Sequence, residues 1–183
     1  MRVFVAGATG VMGRRLVPLL VARGDIVAGL TRSQGAAVSA LGAEPVVCDA
    51  FDAAALAKAV SRFAPDVVVH QLTDLPDHEA GLQAAVQANH RARTEGTRNL
   101  LSAAGEVKTV AQSTAFPALV EQHENLVLAA GGVLLRYGYW YGPGTWYETD
   151  PPPAPRIHID EAARRTVEAL DAPRSSVLEL VES

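Results

Sequence analysis

The feature that most constrains this chain lies at its start. An apolar run, Val3-Phe4-Val5-Ala6, passes directly into Gly7-Ala8-Thr9-Gly10-Val11-Met12-Gly13 and then into a Leu/Val-rich stretch that stops at Gly24. A β-branched run, a glycine-punctuated turn and a helical pattern in that order predict a strand–loop–helix unit. Glycines at 7, 10 and 13 supply a sharp turn, room for backbone to approach a ligand, and close packing of the helix on the strand. A helix beginning there aims its free amide N–H groups and the positive end of its dipole at the same spot. The unit is therefore expected to cradle the pyrophosphate of a dinucleotide, with Gly7, Thr9, Gly10, Val11, Met12 and Gly13 as the binding residues. The spacing is G-x-x-G-x-x-G, with Ala8 where the commoner fingerprint has its second glycine.

Beyond this unit, short β-branched runs alternate with Ala/Leu-rich helical patterns. That alternation predicts an α/β fold, a doubly wound parallel sheet. Strands are expected over 3–6, 26–30, 45–48, 66–70, 107–112, 133–136 and 177–181. Val67-Val68-Val69 is apolar without alternation, as in a strand covered on both faces. Helices are expected over 11–23, where Pro18 should kink the axis, over 52–63 with Asp52 as cap, from about Asp77 to Ala104, and over 117–130. A last helix is expected with Asp160 as cap and Ala163, Val167 and Leu170 as its buried stripe. Residues 137–156 hold both Trp, all four Tyr and five of the 11 Pro, and read as one long loop. The whole is expected to be a single domain over 1–183, with a cofactor-binding core at 1–136 and an abbreviated substrate-side segment at 137–183.

Composition excludes several classes. The 16 basic residues against 20 acidic ones leave a net charge of −4, the wrong sign for a nucleic-acid partner. No apolar stretch approaches the roughly 18–20 residues that span a membrane. The single cysteine, Cys48, cannot form an internal disulfide and fits a reducing, cytoplasmic location. His70, His78, His90, His123 and His158 show no metal-ligand spacing, so no metal site is expected.

Several stretches stand in an order that carries more information than the glycines alone. They are 7–13, 46–52 (VVCDAFD), 67–72 (VVVHQL), 96–104 (GTRNLLSAA), 107–113 (VKTVAQS), 135–144 (LRYGYWYGPG) and 156–163 (RIHIDEAA). Through them the chain resembles the short-chain dehydrogenase/reductase superfamily, in its extended and atypical NAD-dependent epimerase/dehydratase branch. The resemblance implies a Rossmann fold, a bound dinucleotide and a small-molecule substrate; the short run from Gly144 to Asp160 departs from the family and reads as a truncated substrate-binding part. The only macromolecular partner it leaves open is a second copy of the chain, as a homodimer.

The second strand decides which dinucleotide is expected. A carboxylate at its end would bind the ribose 2′-OH of NAD, whereas an arginine accommodates the 2′-phosphate of NADP. Leu30-Thr31-Arg32-Ser33 has the arginine and no acid, so NADP is expected over NAD, with Arg14 or Arg15 able to add charge. Asp49, followed by Ala50, either meets the adenine amino group, as the resemblance implies, or serves as a helix cap. Gln71, Leu72 and Thr73 leave the fourth strand where a ribose should lie.

The expected chemistry is less complete. The family's usual proton transfer employs a Tyr and a Lys one helical turn apart, with a Ser beside them. Ser113 matches the serine. Matching Glu124-Asn125-Leu126 to the helix beyond the lysine puts Phe116 at the tyrosine position and Val120 at the lysine position. Ser113, Tyr137 and Tyr139 are then the candidate catalytic residues, with Tyr137 also near the cofactor. The plainer alternative is that the tyrosines serve packing. Arg93, on the long helix, is either a solvated residue or an anion-binding one. Three functions remain open: an NADP(H)-dependent oxidoreductase or epimerase/dehydratase-like enzyme with non-standard residues, a degenerate NADP sensor or scaffold, or a non-redox cyclase or isomerase.

Overall fold

Strand side chains alternate faces, so β1 (Arg2–Ala6) sends Val3 and Val5 one way and Phe4 and Ala6 the other, and all four are fully buried. A sheet built on such strands must be covered on both faces. The computed structural model, which describes residues 1–76 and 78–182, has this form. The chain continues through α1 (Gly13–Ala22), β2 (Ile26–Thr31), α2 (Gly35–Ala40), β3 (Glu44–Val47), α3 (Ala53–Phe63) and β4 (Val67–His70). It then runs through α4 (Leu82–Arg91), α5 (Thr97–Ala104), β5 (Lys108–Thr114), α6 (Glu121–Ala129) and β6 (Val133–Tyr137). It closes with β7 (Tyr139–Tyr141), β8 (Arg156–His158), α7 (Ile159–Glu168) and β9 (Val177–Leu180).

Seven strands form one parallel sheet in the order β3-β2-β1-β4-β5-β6-β9. This is the doubly wound, Rossmann-type arrangement that the alternation predicts. The winding reverses between β1 and β4, and a crevice opens beyond the carboxyl ends of the strands at such a reversal. On one face α1 and α7 pack together, burying Leu16, Leu20 and Ile159, with Leu170 from the turn after α7, against Val3, Val5 and Val69. On the other, α3 and α5 bury Leu56, Val60, Phe63 and Leu100 against Phe4 and Val68. Each fully buried leucine contributes roughly 1.5–3 kcal/mol. No helix among the described residues is long and apolar enough to cross a membrane.

Several local expectations are corrected. Helix α1 begins at Gly13 rather than Val11, because residues 7–12 are spent in the turn, and it runs on through Pro18, which lies on its exposed side. Asp52 caps α3 as expected, its Oδ1 accepting from the Ala55 amide at 3.0 Å. The cap of α7 is His158, whose Nδ1 accepts from the Asp160 amide at 3.3 Å, while Asp160 instead binds Arg15 at 2.7 Å. The expected start of the long helical region, Asp77, lies outside the described residues. The region itself is α4 and α5 joined by a π-helical turn over Ala92–Gly96.

Nor is the aromatic, proline-rich stretch one loop. Strands β7 and β8 pair in parallel as a small second sheet, with Trp140 opposite Ile157. Gly138 makes the switch of sheets possible: a Cβ there would stand 2.6 Å from the Arg156 nitrogen. Because the chain changes sheets at this glycine, Tyr137 and Tyr139 do not share a face, contrary to their period-2 spacing.

The glycine that fits α1 to the sheet is Gly13, where an added Cβ would lie 2.2 Å from the Gly7 carbonyl oxygen and 2.6 Å from the Ala8 carbonyl carbon. Those neighbours are backbone and cannot rotate away. Gly13→Ala is expected to cost at least the ~1–3 kcal/mol typical of overpacking, seen as a lower urea midpoint. An unchanged midpoint would contradict this packing.

Candidate functional site

The crevice at the reversal is a cleft of about 1160 Å³. Of the residues expected to bind cofactor, Gly7, Thr9, Gly10, Val11, Arg32, Asp49, Ala50, Gln71, Leu72, Thr73, Ser113 and Tyr137 all line it. Met12 and Gly13 do not; Met12 is buried in the core, and Gly13 packs behind the turn.

The turn is shaped by two close approaches. Gly7 has φ +93°, and a Cβ on it would stand 2.7 Å from the Gln71 carbonyl oxygen, so only glycine fits. Gly10 differs: an added Cβ would meet nothing closer than the Gly7 oxygen at 3.5 Å. The protein itself leaves that space open, on the cleft side. No side chain caps the first turn of α1; the Arg14 and Arg15 amides bond back to the Gly10 and Met12 carbonyls, which leaves the Val11, Met12 and Gly13 amides to a ligand. The Gln71 side-chain amide is buried beside the Tyr137 hydroxyl, which influences it at longer range, but neither its nitrogen nor its oxygen makes a hydrogen bond of ordinary geometry, and a buried group so poorly satisfied marks a place where a polar ligand belongs. An open cradle, an uncapped helix end and an orphaned amide together fit a dinucleotide.

At one end of the cleft Arg32 is exposed beside Thr31 and Gln34 and forms no salt bridge among the described residues. Arg14 is also in the lining, its Nε bound to the Thr9 carbonyl at 2.7 Å. Arg15 is engaged elsewhere, by Asp160 and the Val11 and Pro143 carbonyls. Asp49 lines the cleft and accepts from the Phe51 amide through Oδ1 at 3.0 Å.

At the other end, Ser113 donates its hydroxyl to Glu124 Oε1 at 2.5 Å. Glu124 also takes a two-pronged bond from Arg136, at 3.0 and 2.7 Å. Burial alone would raise the carboxyl's pKa, but the bonds from Arg136 and Ser113 hold it below the usual range, so Glu124 is ionised. Thr114, the next residue on β5, also lines the cleft. The Tyr137 hydroxyl bonds to Thr166 at 2.7 Å, and because Thr166 gives its own proton to the Ala162 carbonyl, Tyr137 is the donor. Burial pushes the Tyr137 phenol up to about 12. Tyr139 stands outside the lining, packed between Phe116 at 5.1 Å and Tyr147 at 6.0 Å. Trp140, Trp146 and Tyr147 add an aromatic lining to the cleft beside Phe51 and Tyr137.

With this geometry in view, comparison with known proteins is decisive for the family. Residues 3–128 match the NAD dependent epimerase/dehydratase family. The chain belongs to that family. A 3-diazoavenalumate denitrifying reductase from Streptomyces is 35% identical to it over 233 aligned positions, covering 100% of this chain and 76% of the relative. That alignment is longer than the 183 residues here, so the relative carries internal segments that this chain lacks. A 4-hydroxy-2-methyl-3-oxo-4-farnesyl-3,4-dihydroquinoline-1-oxide ketoreductase from Stigmatella aurantiaca is 33% identical over 141 residues, covering 74% of this chain and 37% of the relative. The fold matches the UDP-glucose 4-epimerase of Thermus thermophilus, solved with NAD, at a TM-score of 0.80 and 21% identity, covering 99% of this chain and 78% of that one.

This family member also holds a buried network that the sequence reading did not assemble. The Leu72 amide donates to His70 Nδ1 at 3.2 Å, so neutral His70 carries its proton on Nε2 and gives it to Thr97 Oγ1 at 2.8 Å. Thr97 in turn donates to His123 Nδ1 at 3.0 Å, and His123 Nε2 donates to the Gln112 carbonyl at 2.8 Å. The Arg93 carbonyl, 3.2 Å from Nδ1, is then a contact and not an acceptor. The network ties β4, α5, α6 and β5 together directly behind the cleft. No metal-binding cluster occurs among the described residues.

Burial, with Arg93 nearby, lowers His123 from 6.5 to about 4, and burial lowers His70 well below 6.5. The unfolded chain therefore binds protons more readily than the folded one below about pH 6.5. Stability supplied by the network is complete above that pH and is lost as pH falls toward 4. Urea unfolding at pH 7 and pH 5 should show it, and a flat profile would contradict it. Thr97→Val strands both imidazoles and should cost about 1–3 kcal/mol at pH 7.

Proposed function

We propose that the protein is an NADP(H)-dependent reductase that acts on a small, planar, electron-poor substrate without a Tyr–Lys proton donor. One observation carries this reading: a single cleft runs from the phosphate loop and Arg32 to Ser113 and an aromatic wall. Thr9, Gly10 and Val11 would hold the pyrophosphate, Gln71, Leu72 and Thr73 the ribose, and Asp49 and Ala50 the adenine. Arg32 favours NADP over NAD, because a guanidinium offers a 2′-phosphate a charge-assisted fork. When bound, the reduced dinucleotide supplies hydride to the substrate.

The chain's own groups say what kind of substrate suits. Phe116 and Val120 stand where the proton-donating pair would be. Ser113 spends its proton on an ionised Glu124, so this pair has no proton ready to supply. Tyr137, with its phenol raised to about 12 and bound to Thr166, serves as a positioning residue, and Tyr139 as part of the aromatic packing. An electrophile that takes hydride without simultaneous protonation meets those limits. The Streptomyces relative, named for reduction of a diazo compound, supports this substrate class. The missing Tyr–Lys pair equally favours a second reading, an NADP(H) sensor without turnover.

Calorimetry should show NADPH binding more tightly than NADH. Arg32→Ala should weaken NADPH roughly tenfold to a hundredfold, with little effect on NADH. Equal affinities in the wild type would sink the NADP preference. Oxidation of NADPH in the presence of a benzenediazonium salt or a quinone tests the reaction, and binding without turnover on either would favour the sensor.

A further inference from the structure

We propose that Arg93 is the seat for a carboxylate on the substrate, so that the cleft selects aromatic acids over their neutral analogues. The proposal rests on the reductase reading only for the word substrate; the anion seat itself rests on the geometry around Arg93.

Arg93 lies on the π-helical turn between α4 and α5, a form of distortion that recurs at functional sites. It lines the cleft and is 8% exposed, and its Nε is buried without a hydrogen-bond partner. The carboxylate that attracts it, Glu124, is already taken by Arg136 and Ser113 and forms no ion pair with Arg93. His70 and His123, its other titratable neighbours, are held neutral. Burial lowers Arg93 to about 10, which leaves it charged at neutral pH. A buried charge without a partner is costly, and a single negative charge entering the cleft would remove that cost. Arg91, two residues earlier, shows the contrast: it is exposed, bound to Glu95 at 2.7 and 3.1 Å, and stacked 3.9 Å over Phe51.

The dinucleotide's phosphates have their own donors at the α1 turn and Arg32. Arg93 belongs to the β5 side of the cleft: its carbonyl lies 3.2 Å from His123 Nδ1, His123 Nε2 bonds the Gln112 carbonyl, and Arg93, Gln112 and Ser113 all line the cleft. One guanidinium fork matches the two oxygens and single charge of a carboxylate. A phosphate monoester, with up to two charges, calls for further donors such as a helix N-terminus or a second cation, and Arg93 sits in mid-helix. Trp140, Trp146 and Tyr147 in the cleft wall suit an aromatic body on the acid.

The test is calorimetric titration of benzoate and benzamide into the protein, with and without NADP+. Wild type should bind benzoate at least roughly tenfold more tightly than benzamide. Arg93→Gln should weaken benzoate roughly tenfold to a hundredfold, leaving benzamide and NADPH unchanged, and Arg93→Lys should retain part of the effect. Benzoate binding no tighter than benzamide to wild type, or no benzoate binding, overturns the proposal without need of a folded variant. Equal weakening of NADPH and benzoate by Arg93→Gln also overturns it, by assigning Arg93 to the dinucleotide. Failure of NADPH to bind, with benzoate selectivity intact in the unloaded protein, would instead sink the reductase reading and leave the anion seat standing.

Discussion

Everything about the site depends on how closely the turn after β1 lies against the end of β4. Gly7 brings the chain so near to the Gln71 backbone that a Cβ would stand 2.7 Å from its oxygen, and Gly13 then fits against the Gly7 carbonyl. These two approaches set where α1 starts and in which direction its free amides point. They also lie at the place where the winding of the sheet reverses, so the crevice and the anion-seeking helix end coincide. Gln71, pinned by the same contact and held through its backbone N–H to the Ala6 carbonyl at 2.8 Å, presents its unpartnered side chain to the same space.

Charge is distributed around this cleft with a clear asymmetry. Glu124 is buried but saturated, with Arg136 and Ser113 using its oxygens. The two buried histidines are neutral and linked through one threonine hydroxyl. Arg93 alone among these buried groups keeps an unanswered charge. Among these buried groups none has a proton ready to give at neutral pH and one is an open cation, a balance unlike that of a Tyr–Lys pair.

The sheet was legible because parallel strands covered on both faces read as bare apolar runs, as in Val67-Val68-Val69, and because three glycines mark one turn. Arg93 was half legible: Arg93, Thr97, Leu100 and Ala104 recur at helical spacing, and all four are buried, so the face was written in the sequence even though the arginine looked solvated. The His70–Thr97–His123 network was not legible, since its members lie on three elements far apart in the chain and no local period links them. Glu124 was named only as an alignment anchor, because a carboxylate on a helix is usually solvated. The strands β7 and β8 are three residues each and embedded among prolines, and the cap of α7 uses an imidazole nitrogen where a carboxylate was the natural expectation. Tyr137 and Tyr139 misled because Gly138 moves the chain from one sheet to another between them.

The open space beside Gly10 is where a dinucleotide would meet the turn. Gly10 is not among the glycines with positive φ, and an added Cβ meets only the Gly7 oxygen at 3.5 Å, so a larger residue there should burden the ligand and not the fold. Calorimetric titration of NADPH into Gly10→Val, with urea unfolding alongside, measures both. A near wild-type unfolding midpoint with loss of NADPH binding is the expected result. Wild-type NADPH affinity in the folded variant would contradict it.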